Sequence, residues 1–267
     1  MKFKILIILS VFFLASCEEV IELDLSSSEP QVIIEANLDV ADQTCDVKLS
    51  LSNNFYDSGK FEKIEDAEIT LMSGNGAVYT FDYLGDGNYN AKDVMAEVGE
   101  PFTIQILSAT YGSFTASAVT PKVAIIDEIT VDELEGNPFG GDDEDGDKRL
   151  TVEWQDIVGE ENFFRIQAYL NGVYLEGSYV MADDRFGEDG TLIRPFNEAF
   201  FNVGDEVEIQ LLTTNEEYYD YFTAIANGGG PDFANAAVPY NPSANFGEDA
   251  LGYFGIWQKA SKLVVIE

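Results

Sequence analysis

The chain is predicted to be mainly β: two β-sandwich units of the immunoglobulin-like or prealbumin-like kind, with one helix inserted late in the second. Three observations lead there. Apolar and polar residues alternate with a period of two through most of the chain, which is the signature of strands with one buried face. Gly, Asn and Asp cluster between those runs, where hairpin turns need positive φ or side-chain hydrogen bonding. A hydrophobic content of 46% with 13% aromatic residues can fill a real core and lies far from disordered composition.

The first unit spans residues 31–121. Gln31 to Asp39 opens it, with β-branched Val32, Ile33 and Ile34. Val47, Leu49 and Leu51 alternate with polar residues, and Ala67 to Leu71 repeats the pattern. Ser73-Gly74-Asn75-Gly76 reads as a hairpin turn into one strand, where Val78, Thr80 and Asp82 alternate with Tyr79, Phe81 and Tyr83. Gly85-Asp86-Gly87-Asn88 turns again before Tyr89, with Asp82, Asp86 and Asn88 as turn residues. Phe102, Ile104 and Ile106 share one face, and Tyr111-Gly112 leads into Ser113 to Val119 before Pro121 closes the unit.

The second unit spans 122–267. Ile125 to Leu134, Leu150 to Trp154, Phe163 to Leu170, Val173 to Met181 and Val207 to Leu212 read as strands, with Asn171-Gly172 as a hairpin turn. A helix is predicted at about 215–227, from a capping box of Thr214 with Glu217 and a stripe of Tyr218, Tyr221, Phe222 and Ile225. Asn227-Gly228 ends it. Leu251 to Trp257 and Lys262 to Ile266 read as two closing strands around polar Gln258 to Ser261.

Upstream of both units lies an address. Lys2 and Lys4 precede an apolar run from Ile5 to Ala15, too short to span a bilayer, and Leu14-Ala15-Ser16-Cys17 follows. This arrangement resembles the bacterial lipobox. It implies that residues 1–16 are a signal peptide and that Cys17 becomes an acylated N-terminus, palmitate included, leading a tether over 17–30. Each buried methylene contributes about 0.8 kcal/mol, so several acyl chains anchor a domain stably. Glu18 and Glu19 resemble the outer-membrane and surface-export signals of Bacteroidota lipoproteins, which leaves the leaflet open.

Charge and composition exclude whole classes of chemistry. A formal net charge of −35 repels nucleic-acid phosphates, so no nucleic-acid partner is expected. The chain has no histidine, which removes Ser-His-Asp and Cys-His catalysis and histidine zinc sites. Nucleophile-elbow, P-loop and dinucleotide fingerprints are absent, and Gly228-Gly229-Gly230 follows a helix instead of opening one. Among 49 acidic residues, carboxylate pairs for glycoside hydrolysis can be drawn anywhere and point nowhere. The expectation is a chain that is not an enzyme, with no cofactor beyond a candidate Ca²⁺.

Asp143, Asp145 and Asp147 form that candidate, spaced i, i+2, i+4 in a Gly/Asp-rich loop. The EF-hand pattern fails there, because Lys148 replaces the required glycine, and a solvated loop is the preferred reading. Asp183, Asp184, Glu188 and Asp189 read as a turn. Phe139, Phe186, Phe196, Phe233 and Phe246 read as lying in Gly- and Pro-rich loops and are the candidate partner contacts. Trp154 and Trp257 sit in apolar strand patterns and are assigned to the second core ahead of a stacking role; the helix tyrosines are assigned to core, with Tyr219 as the exposed member. Cys45 reads as a small buried hydrophobe.

Several short segments together resemble one family. They are Cys17-Glu18-Glu19-Val20-Ile21-Glu22-Leu23-Asp24-Leu25, Asp66-Ala67-Glu68-Ile69-Thr70-Leu71, Trp154-Gln155-Asp156, Glu161-Asn162-Phe163-Phe164-Arg165, Asp183-Asp184-Arg185-Phe186 and Leu251-Gly252-Tyr253-Phe254-Gly255. In this set and order the chain resembles the Bacteroidota lipoprotein family catalogued as domain of unknown function 4249. The resemblance implies a lipid-anchored outer-membrane protein acting beside a TonB-dependent transporter. It supplies no catalytic residues. The alternative is a stand-alone surface protein binding a glycan, a peptide or Ca²⁺.

Overall fold

A computed structural model describes residues 30–53, 61–133, 148–176, 179–186, 190–228 and 244–267. The first unit contributes β1 (Val32–Asp39), β2 (Thr44–Leu51), β3 (Ala67–Ser73), β4 (Val78–Thr80), β5 (Asp82–Gly85), β6 (Asn88–Lys92), β7 (Pro101–Ser108) and β8 (Gly112–Val119). The second contributes β9 (Ile126–Glu133), β10 (Lys148–Gln155), β11 (Phe163–Leu170), β12 (Val173–Tyr174), β13 (Val180–Asp183), β14 (Thr191–Phe201), β15 (Glu206–Thr214), helix α1 (Glu216–Gly228) and β16 (Ala250–Val265).

Among the described residues the strands form three sheets. One long sheet runs β12-β11-β15-β16-β1-β2-β6-β5, with β13 beside β11. A second, β4-β3-β7-β8, covers one half of it, and a third, β14-β10-β9, covers the other. Two separate cores result. Ile34, Leu38, Leu49, Leu71, Phe102 and Ile104 lie at the centre of the first; Trp154, Phe164, Ile166, Phe196, Phe201 and Ile209 lie at the centre of the second. The alternation predicted from sequence is plain in β1, where Val32, Ile34, Ala36 and Leu38 are buried and their neighbours are half-buried.

The boundary at residue 121 divides these cores with one correction. Phe246, Ala250, Phe254 and Ile256 belong to the first core, although they follow the second unit in sequence. The reason is β16. It is one strand of 16 residues, where two strands are predicted around Gln258 to Ser261. Its first half pairs parallel with β1, from Val32–Ala250 to Asp39–Trp257. Its second half pairs antiparallel with β15, from Thr214–Trp257 to Glu206–Val265. The strand changes sandwich at Trp257, which pairs with both neighbours, and the polar stretch that follows pairs with β15.

Other departures have local causes. The strand predicted through Tyr79, Phe81 and Tyr83 divides at Phe81, because β4 pairs with β3 while β5 pairs with β6 in the long sheet. Val173 to Met181 divides into β12 and β13, both antiparallel to β11. β14 escapes the sequence pattern, since Pro195 and Asn197 interrupt it; β14 is an edge strand of its sheet, where a missing N–H is tolerated. Cys45 is buried as expected, and burial pushes its thiol pKa upward, so it is an inert apolar group.

The first half of β16 has a free edge on the side away from β1, and two asparagine amides close it. Asn245 accepts from Phe254 N (2.8 Å) and donates to Phe254 O (3.0 Å). Asn215 accepts from Ile256 N (3.0 Å) and donates to Phe254 O (3.3 Å), so the pair stands in for a missing strand. Asn215, and not Thr214, is therefore the residue at the head of α1: Tyr219 N donates to Asn215 O (3.2 Å), while Thr214 ends β15 and is buried.

Candidate functional site: an aromatic hollow around Arg165

The long sheet has a second face. In β11, Phe164, Ile166 and Ala168 point into the second core, so Arg165, Gln167 and Tyr169 are carried on the opposite face. The same alternation in β16 sends Phe254 and Ile256 into the first core and Tyr253 and Trp257 outward. Helix α1 crosses this outer face, and Gly255 admits it: a Cβ there would lie 2.5 Å from the Tyr218 ring. Tyr218 packs edge-on against Tyr253 (5.2 Å) and Trp257 (5.5 Å), and Phe222 against Tyr253 (5.3 Å).

Where helix and sheet meet, they enclose an open hollow of about 320 Å³. Asn37, Gln167, Tyr169, Tyr174, Tyr179, Tyr218, Phe222, Tyr253 and Trp257 line it around Arg165. Arg165 is 6% exposed. Its Nη1 donates to Tyr218 Oη at 2.5 Å and its Nη2 to Tyr174 Oη at 3.1 Å. Its guanidinium carbon lies 4.4 Å from the Phe222 ring centroid and 5.4 Å from that of Tyr179. Burial pushes the Tyr218 phenol up to about 12, against the opposing pull of Arg165. Burial likewise raises Tyr253 well above the ordinary phenol range. Both hydroxyls therefore stay neutral near pH 7 and leave the Arg165 charge uncompensated.

Beside the hollow, Asp183 is 3% exposed and is ion-paired to Arg185; it also accepts a hydrogen bond from Tyr219 Oη (2.9 Å). The Tyr219 ring lies 5.1 Å from Phe163, so Tyr219 is a fastened residue and not the exposed member of the helix. Asp184 accepts from Asn162 N (2.8 Å), and Asn162 in turn donates to Ile157 O and Glu160 O. Asp183, at the end of strand β13, and Asp184, in a 3-10 turn, form a structural clamp on the ends of β11 and β13; Glu188 and Asp189 of the predicted turn lie outside the described residues.

The Arg185 hydrogen bond, with Tyr219 adding to it, holds the Asp183 carboxyl below the usual aspartate range despite the opposing effect of burial. A folded-state pKa below the unfolded one stabilises the fold above the ordinary aspartate value. That contribution is lost as pH falls through the folded value. The melting-temperature gap between the protein and Asp183→Asn is therefore expected to be constant from pH 7 to pH 5 and to close below about pH 4. A gap that persists unchanged at low pH would contradict the clamp.

The sequence-derived candidates fare differently. Cys17, Phe139, Asp143, Asp145, Asp147 and Phe233 lie outside the described residues, and of Phe186 only the backbone, closing a 3-10 turn from Asp184, is described. Among the described residues no group of three or more acidic or cysteine side chains is arranged to hold a metal ion. Phe246 is 7% exposed and packs in the first core, so it is not a surface contact; the Asn245 link to β16 places it there. Phe196 is not one either: it lies in β14, not a loop, and is fully buried in the second core. Trp154 is fully buried in the second core, as expected. Trp257 is not: it belongs to the hollow, because β16 turns that position to the outer face.

Arg165 was not singled out from sequence. The available signal was the spacing of Arg165, Gln167 and Tyr169 on one strand face, which only gains meaning once the Tyr218–Phe222 stripe lies over it. The short family-like segments now have physical roles. In Leu251 to Gly255, Gly252 admits β1, Tyr253 lines the hollow, Phe254 fills the first core and Gly255 admits the helix. In Glu161 to Arg165, Asn162 ties the loop, Phe164 meets Trp154 edge-on at 5.3 Å, and Arg165 centres the hollow.

No curated protein matches the chain. Among solved structures, a two fibronectin type-III domain segment from chicken tenascin is 10% identical, over 89% of this chain and 99% of that one, with a TM-score of 0.24. The family model described as domain of unknown function (DUF4249) matches residues 18–263, which takes in both sandwiches and the hollow between helix and sheet, and the chain belongs to that family.

Proposed function

We propose that this protein is a non-catalytic, lipid-anchored binding protein of the outer membrane, an accessory to a TonB-dependent uptake system. Acylated Cys17 holds the sandwiches at the membrane through the tether of residues 17–30 and restricts the search for a partner to a plane. The observation that carries a binding role is the hollow: an open, aromatic-walled concavity around one buried cation, the kind of site that recognises a small polar ligand by a few placed groups. The lipobox-like Leu14-Ala15-Ser16-Cys17 carries the anchor, and the segments that resemble the family carry the link to uptake.

Fractionation and affinity purification test both parts. The protein is expected in the outer-membrane fraction with label from radioactive palmitate. Cys17→Ser is expected to lose the label and the membrane association altogether, with an unchanged melting temperature. Purification from gently solubilised outer membranes should recover a TonB-dependent transporter. Palmitate incorporation without any transporter would leave the stand-alone reading, a surface protein that binds its own ligand through the hollow.

A further inference from the structure

We infer that the hollow is a carboxylate-binding site, built for a ring-bearing organic acid. The inference deepens the binding role proposed above and rests on it. It starts from an imbalance. The chain holds 49 acidic residues against 14 basic ones, yet among the described residues no carboxylate is paired with Arg165. By contrast Lys259, on the same long sheet, is held by both Asp39 (3.0 Å) and Asp42 (2.6 Å). A buried guanidinium without a counter-ion is costly, and native folds rarely keep one without a use.

The donors of Arg165 are also incompletely engaged. A guanidinium carries five N–H groups in a fixed fork. Hydrogen bonds to Tyr218 and Tyr174 engage one each, and Nε is buried with no hydrogen-bond partner. The two tyrosine hydroxyls and the Phe222 face fix the plane of the fork in advance. Each of the two Nη atoms has a second N–H beyond its tyrosine hydrogen bond, and such a preorganised fork matches the two oxygens of a carboxylate, which it can bind bidentately in the open hollow. The surrounding walls define the rest of the ligand. Tyr169, Tyr174 and Trp257 line the hollow with aromatic rings, and about 320 Å³ sits at the small end of ligand sites, with room for one ring and its acid group. A uronic acid and an aromatic acid share this chemistry.

Trp257 supplies the readout. It lines the hollow, while Trp154 is sealed in the second core and gives a constant background. The acylated protein in detergent is titrated with galacturonate and with benzoate, and in parallel with neutral galactose and benzyl alcohol. At least one acid is expected to change the fluorescence and to bind at least tenfold more tightly than its neutral counterpart. Which acid does so distinguishes a sugar from an aromatic ligand. Arg165→Lys keeps the charge and loses the fork, and is expected to weaken that acid at least tenfold; Trp257→Phe is expected to remove the signal.

Equal affinity for acid and neutral probe, no response to either acid, or Arg165→Lys binding like the unmodified protein would each overturn the inference. The acid-to-neutral comparison needs no variant, so it stands even where Arg165→Lys proves unstable. Membrane fractionation and transporter recovery do not involve the hollow. A lipid-anchored, transporter-associated protein blind to both acids would therefore refute the ligand class alone.

Discussion

Gly252→Ala is expected to destabilise the protein by about 3 kcal/mol and to lower its melting temperature by on the order of 10 °C. Two effects combine. The residue has φ +103°, a conformation that side chains with a Cβ rarely adopt. A Cβ at that position would also lie 1.9 Å from Ile34 O and 2.7 Å from its carbonyl carbon, so the obstacle is backbone and not a movable side chain. Ile34 pairs with Gly252 across the parallel ladder and is itself fully buried, so β1 cannot retreat without opening the first core.

The same variant tests whether the sandwiches unfold together. β16 is a strand of both, so loosening its first half should lower the melting of the second core too. Near-ultraviolet circular dichroism and Trp154 fluorescence are expected to follow far-ultraviolet signal in one transition. A variant that melts within two or three degrees of the unmodified protein would sink the close-approach argument. Two separated transitions would sink the idea of a shared structural strand.

The two tryptophans provide the second contrast. Trp154→Ala is expected to cost about 3–5 kcal/mol, the usual cost of emptying a core site of that size. Trp154 is fully buried, packs edge-on against Phe164 and shares the second core with Val152, Leu192 and Phe196. Its indole Nε1 has no hydrogen-bond partner, so Trp154→Phe should recover much of that loss by removing a buried orphan donor along with part of the ring. Trp257→Ala should cost about 1 kcal/mol, because the ring is only half-buried and forms a wall of the hollow. Denaturant titration of the three variants checks the order. If Trp257→Ala proves as damaging as Trp154→Ala, Trp257 is a core residue and the hollow loses a wall.

Much of the β architecture was legible because it is written locally. Val32 to Leu38 and Phe102 to Ile106 alternate without interruption, and each strand buries the face its pattern names. Asn171-Gly172 turns where the pattern places it, with Asn171 at φ 50° and Gly172 at φ 81°. β14 was hidden because Pro195 and polar residues break its alternation, a break that matters little at a sheet edge. The helix was legible from its tyrosine stripe; its cap was not, since Asn215 is chosen by hydrogen bonds to β16, some forty residues later in the chain.

By itself the sequence determined the strand periodicity, the late helix, the exclusion of histidine chemistry and the family, because each depends on neighbouring residues or on composition. Only the tertiary structure decided that β16 belongs to both sandwiches, that Phe246 is core, that Trp257 is not, and that Arg165 is a buried cation among neutral tyrosines. Those outcomes depend on which strands pair and on which face of a sheet a helix covers. Pairing joins residues far apart in the chain, as Val32 meets Ala250, and a period of two says that a residue has a face without saying what will lie against it.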